Sequence, residues 1–184
     1  MRSSTGSTPI SLNSKGRPMT DTRTTPVFTI QRRFAASIER VFDAWADPAQ
    51  MEQWSGPTGS QVTVLSGGIA PGEALHSHYR AADGAEMHNL VRYHEVSRPH
   101  RLVYDQSFAD ADANIVKAPF FEHWPHVMRT EVDLVEEGDG TRLTLRWTPI
   151  GATAEEEAMF ASMMESMTGG WSGSFDRLDA MLAG

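Results

Sequence analysis

The feature that most constrains the fold is a long apolar stripe near the C-terminal end of the chain. Its members recur at intervals of three or four residues, which is the spacing of one face of an α-helix. The stripe comprises Phe160, Met164, Met167, Trp171, Phe175, Leu178 and Leu182. Thr153 and Glu156 have the spacing of a capping box at its start. The pattern therefore predicts a single helix of about 28 residues, more than twice the average length.

Three glycines lie inside this predicted helix, at positions 169, 170 and 173. Each interior glycine costs a helix about 1 kcal/mol relative to alanine. We therefore expect the helix to pass close to another backbone here, where only glycine would fit.

Methionines precede the glycines, at positions 163, 164 and 167. Methionine is a soft, adaptable side chain that fills irregular gaps. We expect this end of the helix to border a cavity and the segment 171–182 to pack tightly.

The middle of the chain is typical of an antiparallel sheet. Alternating apolar residues predict a strand over 27–34, and two short helices capped by Ser37 and Asp47 follow it. About six strands come next, with hairpin signals at Asp83-Gly84 and Gly138-Asp139-Gly140. A run of strands before a long helix indicates an α+β domain in which a curved sheet wraps around that helix.

The N-terminal segment differs in composition from the rest. It is rich in Ser and Thr and nearly lacks large apolar residues, so we expect a disordered tail over 1–25 and one domain over 26–184. The first 24 residues carry four basic and one acidic side chain, whereas the whole chain is −8, so the remainder is −11. An acidic body repels phosphate, which argues against a nucleic-acid partner. With neither a membrane-spanning apolar run nor a signal peptide in view, we expect a cytoplasmic protein.

Seven histidines raise the question of a metal site. His76 and His78 share one strand face. A two-residue turn at Asp83-Gly84 would place His88 opposite Tyr79, on the other face, so a third ligand would not converge. A one-residue bulge would reverse this conclusion. We predict no metal and no cofactor.

The segment 120–128, FFEHWPHVM, groups Glu122, His123 and Trp124 in a predicted loop. A histidine beside a carboxylate is one arrangement for a general base. Alternatively, the aromatic residues fold back to close the open end of the domain. Neither a nucleophile elbow nor a phosphate-binding loop accompanies them, so catalytic residues stay unassigned.

Five stretches, in this order and spacing, resemble one protein family. They are RRFAASIERVFDAWADPAQMEQW, GGIAPGEALHSHYRAADGAEM, HEVSRPHRLVY, DGTRLTLRW and GGWSGSFDRLDAML. The family is the AHSA1-like branch (activator of Hsp90 ATPase homologue 1) of the START/polyketide-cyclase-like SRPBCC superfamily. The resemblance spans about residues 27–183. It implies a helix-grip (START/Bet v 1-like) fold with a deep hydrophobic cavity between sheet and helix, and it places Trp171 in the family's Gly-Trp signature.

Eight candidate residues follow for the wall of such a cavity. If Asp83-Gly84 forms a two-residue turn, Tyr79 and Tyr93 would face opposite sides of the sheet. The candidates are Trp54, Tyr79, Tyr93, His123, Trp124, Met163, Met167 and Trp171.

Three functions stay open at this stage. The first is binding of a small hydrophobic or amphipathic molecule without chemistry. The second is an enzyme of cyclase, dehydratase or hydrolase type that uses a cavity histidine or glutamate. The third, suggested by the family name, is an interaction module for an Hsp90-type chaperone. The resemblance also implies a homodimer as a partner to test.

Overall fold

A computed structural model describes residues 24–184, and the predicted tail over 1–25 lies outside them except for its last two residues. These described residues form seven strands and four helices. In chain order they are β1 (Phe28–Phe34), α1 (Ile38–Ala46), α2 (Pro48–Trp54), β2 (Gln61–Gly67), β3 (Ala74–Arg80), β4 (Glu86–Ser97), β5 (Arg101–Ala109), β6 (Met128–Glu137), β7 (Gly140–Pro149), α3 (Ala154–Ser162) and α4 (Met164–Ala183).

The seven strands form one antiparallel sheet. Its order is β1-β7-β6-β5-β4-β3-β2, so β2 to β7 follow one another as neighbours and β1 joins at the β7 edge. The sheet is curved and carries the long helix, which confirms the predicted α+β helix-grip fold. Because β1 and β2 lie at opposite edges, α1 and α2 carry the chain from one edge of the sheet to the other.

The predicted helix caps form. The Ser37 side chain accepts a hydrogen bond from the Arg40 backbone N–H, and the Asp47 side chain accepts one from Ala49. Thr153 and Glu156 form both halves of a capping box at the start of α3. These side chains satisfy backbone donors that the first turn of a helix leaves unpaired.

The prediction of a single 28-residue helix is wrong, because the helix breaks at Met163. This residue has φ −97° and ψ 1°, and its N–H donates to the Phe160 carbonyl three residues back. The break separates the nine residues of α3 from the 20 residues of α4. One irregular residue hardly shifts the apolar periodicity, so the pattern of side chains continued through it.

The C-terminal half of the stripe packs into the main core. Phe175 and Leu178 are almost fully buried, and Leu182 lies one turn further on. The rings of Phe175 and Phe34 meet edge to face, with centroids 5.8 Å apart. Full burial of each such side chain contributes about 1.5–3 kcal/mol to the stability of the fold. The prediction that segment 171–182 packs tightly holds from Ser174 onward.

The predicted register of the β3–β4 hairpin is wrong by one residue. Arg80 pairs with Glu86, and Ala81 N–H donates to the Ala85 carbonyl at 2.8 Å. Three residues therefore stand between the last bonded pair, and Gly84 among them has φ +87°. A three-residue loop that ends in a left-handed glycine is the next most common hairpin connection after the two-residue turn. The extra residue shifts every pair along both strands.

The register determines which side chains share a face. Tyr79 and Tyr93 both lie on the inner face, the face toward α4, whereas the predicted register placed them on opposite faces. His78 pairs directly with His88, so these two lie on the outer face together with His76.

None of the helices within residues 24–184 combines the length and the apolar character that a membrane crossing requires.

Candidate functional site

A cavity of about 310 Å³ lies between the inner face of the sheet, α4, and the α1–α2 unit with the loop that follows it. Its wall is mainly aromatic and aliphatic, and α1, α2, β3 to β5, β7 and α4 all contribute to it. Apolar concave sites with a few polar groups are the usual form of small-molecule sites.

Trp171 joins the helical and sheet sides of this wall. Its ring stacks on Trp45 of α1 at 6.1 Å and 18°, and it meets Trp147 of β7 edge to face at 5.8 Å. Trp54 packs on Trp45 at 4.6 Å, and its indole N–H donates to the Ala44 carbonyl at 2.8 Å. This hydrogen bond fixes one ring of the wall, and the packed rings hold the others.

Two of the three glycines of α4 do not lie against another part of the backbone. A methyl group added at Gly169 or Gly170 would meet no atom within 4 Å, and one at Gly173 would make an ordinary 3.6 Å contact with Thr58. The predicted explanation is therefore wrong for the first two positions. Gly170 lies in the cavity wall, so the missing side chain leaves space there.

The expected Met-rich border is also displaced. Of α4, the cavity touches Met167, Gly170, Trp171 and Ser174, not the segment before Met167. Met163 lies at the helix break and packs partly buried against the core.

Two buried phenols stand on the sheet side of the cavity. Burial raises the pKa of Tyr93 and of Tyr104 well above the ordinary range, so both remain neutral. Their rings pack at 5.4 Å, and the Tyr93 hydroxyl lies 4.0 Å from the sulfur of Met51. These groups supply polarity without charge.

The sheet side also carries Ser77, Asn89 and Gln106. Asn89 and Gln106 additionally border a recess of about 50 Å³, which is closed by Trp124, Pro125 and Met128. The main cavity and this recess thus share two carboxamide side chains.

Arg177 of α4 fixes the loop that forms one side of the cavity. Its Nη1 contacts the carbonyl oxygens of Ser55, Gly56 and Pro57 at 3.0–3.3 Å, and its Nη2 donates to the Gln53 carbonyl at 3.0 Å. The planar guanidinium can serve several acceptors at once. The loop therefore has a fixed position relative to α4.

The eight predicted wall residues divide into two groups. Five line the main cavity: Trp54, Tyr79, Tyr93, Met167 and Trp171. Trp124 borders the recess instead, Met163 lies at the helix break, and His123 is exposed in its loop. That the five bind a ligand stays a prediction.

Sequence reasoning missed Ser77, Asn89, Gln106 and Gly170. The alternation of β3 and β4 would have indicated the first two once Tyr79 and Tyr93 were placed on one face. Gly170 lies three residues after Met167, so the helical period would have placed it on the same face as that predicted wall residue.

The loop before β6 behaves as a partial plug. Trp124 packs against Phe121, Phe160 and Trp147 with ring centroids 5.3–6.4 Å apart, while Phe120 is 58% exposed. Glu122 and His123 are exposed. The histidine–carboxylate group of this loop therefore faces solvent rather than the cavity.

The histidines of the β3–β4 hairpin cluster on the outer face, contrary to prediction. His88 Nδ1 lies 3.1 Å from His76 Nε2, and the His78 and His88 rings lie 5.0 Å apart. His76 Nε2 is also 3.1 Å from the Asp110 carbonyl, so the cluster contacts the segment after β5. Across residues 24–184, no three His, Asp or Glu side chains are arranged to hold a metal ion.

The strand arginines also lie outside the cavity. Arg129 donates to Asp105 at 2.8 and 3.0 Å, Arg146 pairs with Asp133, and Arg92 is exposed. None of these three arginines lines the cavity wall, so none is placed to pair with an anionic ligand there.

The family model for "Activator of Hsp90 ATPase homolog 1-like protein" matches residues 35–183. The chain belongs to the AHSA1-like family. The resemblance seen in the sequence is thereby confirmed over most of the described domain. A comparison with curated proteins finds no match.

Solved structures of similar proteins agree with this assignment. Protein Ms6760 from Mycobacterium smegmatis is 28% identical, with a TM-score of 0.71 over 86% of this chain and 91% of that one. A protein from Arthrobacter aurescens is 25% identical, with a TM-score of 0.70 over 86% and 87% of the two chains. The AHSA1 protein from Silicibacter pomeroyi is 21% identical, with a TM-score of 0.64 over 86% and 98%, and shares the fold. The AHSA1-like fold supports a ligand-binding or chaperone-related domain.

Proposed function

We propose that this AHSA1-like domain binds a small hydrophobic or amphipathic molecule in the cavity between the sheet and α4. The observation that carries the proposal is the cavity itself. Its volume of about 310 Å³ falls at the lower end of the roughly 300–1,000 Å³ typical of ligand sites. Aromatic rings from three elements form one side, so an apolar ligand would bury a large area.

The wall favours binding over catalysis. Within the described chain, its polar members are hydroxyl and carboxamide groups, with no histidine or carboxylate among them. A cyclase, dehydratase or hydrolase that uses a cavity histidine or glutamate would need such a group within hydrogen-bond reach of the substrate. His123 and Glu122 are exposed in the loop before β6 instead.

The surface offers less support for the chaperone-interaction alternative. A large contiguous exposed apolar patch would support such a module. Within residues 24–184, the exposed large apolar residues belong to different strands and loops; they are Val27, Leu65, Ile115, Phe120, Val135 and Ile150. The homodimer stays a separate prediction.

Native mass spectrometry of the full chain purified from its own host tests the proposal. The expected result is a reproducible mass increment that disappears on denaturation and releases one small molecule. Gly170→Leu is the variant designed to block the site, because the leucine side chain would fill part of the cavity next to Gly170. Gly169→Leu is the control, since this neighbour is exposed and lies outside the cavity.

The proposal predicts that Gly169→Leu retains the bound molecule and Gly170→Leu loses it, with both variants folded by circular dichroism. Retention by both variants would place the molecule elsewhere. Wild-type protein without any bound molecule, and without thermal stabilisation by apolar compounds, would contradict the proposal.

A further inference from the structure

A short polar row crosses the mainly apolar wall of the cavity. It consists of Ser77 on β3, Asn89 on β4 and Gln106 on β5. Asn89 lies directly opposite Ser77, and Gln106 pairs with Val91, the next residue on the same face of β4 as Asn89. Side chains at such positions on neighbouring strands lie within reach of one another. The three therefore form one patch rather than three isolated groups.

The polar row is free to bind a ligand. Among residues 24–184, none of its three side chains has a hydrogen-bond partner. Each carboxamide offers two donors and an acceptor. Polar groups inside proteins are normally paired with protein or with water, and an unmade hydrogen bond is costly. A ligand that pairs with Asn89 and Gln106 would replace water there.

The wall carries no formal charge. Within the described chain, the cavity is lined by no Asp, Glu, Lys, Arg or His, and its buried tyrosines are neutral. Transfer of an ionised carboxylate or ammonium into such a site is strongly unfavourable when no opposite charge is present. An uncharged ligand meets no such penalty.

The shape of the site adds a second constraint. Trp45, Trp54 and Trp171 make the helical side of the cavity wall largely aromatic, and aromatic side chains pack favourably against flat, apolar groups. On the sheet side, Asn89 and Gln106 stand at the recess of about 50 Å³, which has room for one small substituent. A flat body would pack on the tryptophans while a substituent reaches the carboxamides.

We propose that the ligand is an uncharged molecule with a flat apolar body and a carbonyl or hydroxyl substituent that Asn89 and Gln106 bind. The inference rests on the proposed function and specifies its ligand class.

Three naphthalene probes of similar size test it on the full chain by calorimetry near neutral pH. They are 2-acetylnaphthalene, which is neutral and carries an acceptor, 2-ethylnaphthalene, which lacks the acceptor, and 2-naphthoate, which is anionic. The naphthoate should bind at least about a hundred-fold more weakly than the ketone, because its charge is unpaired in the cavity.

Variants of the polar row isolate the hydrogen bonds. Gln106→Met and Asn89→Leu keep the approximate side-chain volume and remove the polar atoms. Each should weaken binding of the ketone by about three- to ten-fold, the range for one net hydrogen bond, and leave or improve binding of the ethyl probe. Gln61→Met is the control, because this glutamine is exposed on β2. It should change neither affinity.

The outcomes separate the two proposals. If both neutral probes bind wild-type protein and respond alike to the variants, the polar-row inference is overturned while ligand binding stands. Naphthoate that binds as tightly as the ketone also overturns the inference. If none of the three probes binds, the inference is overturned, and native mass spectrometry of the protein from its own host decides separately whether the proposed function stands. The wild-type comparison of ketone and naphthoate decides the charge argument even where a variant does not fold.

Discussion

At the scale of single residues, Gly169 and Gly170 are neighbours in α4 with different surroundings. Gly169 is exposed, whereas Gly170 is half-buried and lines the cavity. Both have room for a methyl group. Glycine at two helix positions without a steric requirement lowers the stability of the helix, and only at position 170 does the missing side chain enlarge the cavity.

We predict that Gly169→Ala and Gly170→Ala each raise the free energy of unfolding by up to about 1 kcal/mol, because alanine favours the helix. Only Gly170→Ala should weaken ligand binding, by roughly ten-fold, since a methyl group then occupies part of the cavity. Urea unfolding and titration with 2-acetylnaphthalene measure the two effects. Equal loss of affinity in both variants would refute the role given to Gly170.

Asp105 on the outer face of β5 illustrates a charged residue that serves the fold. Burial alone would raise its pKa, but hydrogen bonds from Arg129 and His94 at 2.8 and 2.7 Å outweigh burial and lower the pKa below its ordinary value. A carboxylate with a depressed pKa stabilises the folded state above its unfolded-state pKa of about 4 and loses that contribution as pH falls through the folded pKa.

We therefore predict that Asp105→Asn destabilises the protein at neutral pH and that the difference from wild type shrinks below pH ~4. Urea denaturation over a pH series measures it. The exposed Asp112 provides the control variant Asp112→Asn. A gap between wild type and Asp105→Asn that does not change with pH would show that the ion pair is not its cause.

Among the elements, α4 and the loop after α2 form one unit through Arg177. Its five contacts with positions 53–60 are to four backbone carbonyl oxygens and the Ser60 hydroxyl. Lysine is a point charge on a flexible stem and cannot serve this set of acceptors.

Arg177→Lys should lower the free energy of unfolding by about 1–3 kcal/mol and accelerate amide exchange over residues 55–60. Because this loop lines the cavity, ligand affinity should fall as well. Arg40→Lys is the matched control, because Arg40 is an exposed residue of α1. Unchanged exchange in the loop would mean that other contacts hold it.

The helices and strands differ in how well the sequence predicts them. Periodicity and caps identified the elements, because each depends on neighbours within four residues. The helix break at Met163 was not predicted, because one irregular residue leaves the spacing of the apolar side chains almost unchanged. The hairpin register was also predicted wrongly, because Asp83-Gly84 is compatible with both a two-residue turn and the observed three-residue loop. The two-residue turn assigned His88 and Tyr93 to the wrong faces of the sheet.

For the whole molecule, the fold could be predicted from the order of its elements, whereas the cavity could not. The wall of the cavity combines residues up to about 130 positions apart in the chain. No local sequence pattern specifies that Gln106 of β5 lies near Asn89 of the neighbouring strand β4. The aromatic candidates Trp54 and Trp171 were found because large apolar residues on these helices have few other places to pack. His123 was misplaced because its loop faces solvent.

The domain boundary gives a further prediction at this scale. Among the described residues, the first and last apolar side chains buried in the core are Phe28 and Leu182. We predict that a chain starting at residue 24 has the same unfolding midpoint as the full chain within about 2 °C, which calorimetry measures. A large drop would assign the N-terminal segment a structural role.

The central claim is that the cavity binds a small uncharged molecule, and methyl NMR tests it most directly. Among the methionines of residues 24–184, Met51, Met87 and Met167 line the cavity, whereas Met163 and Met181 do not. With methyl-labelled methionine in the full chain, addition of 2-acetylnaphthalene should shift the signals of these three and give contacts between their methyl groups and the probe. Shifts confined to other methionines, or none at saturating probe, would contradict the claim.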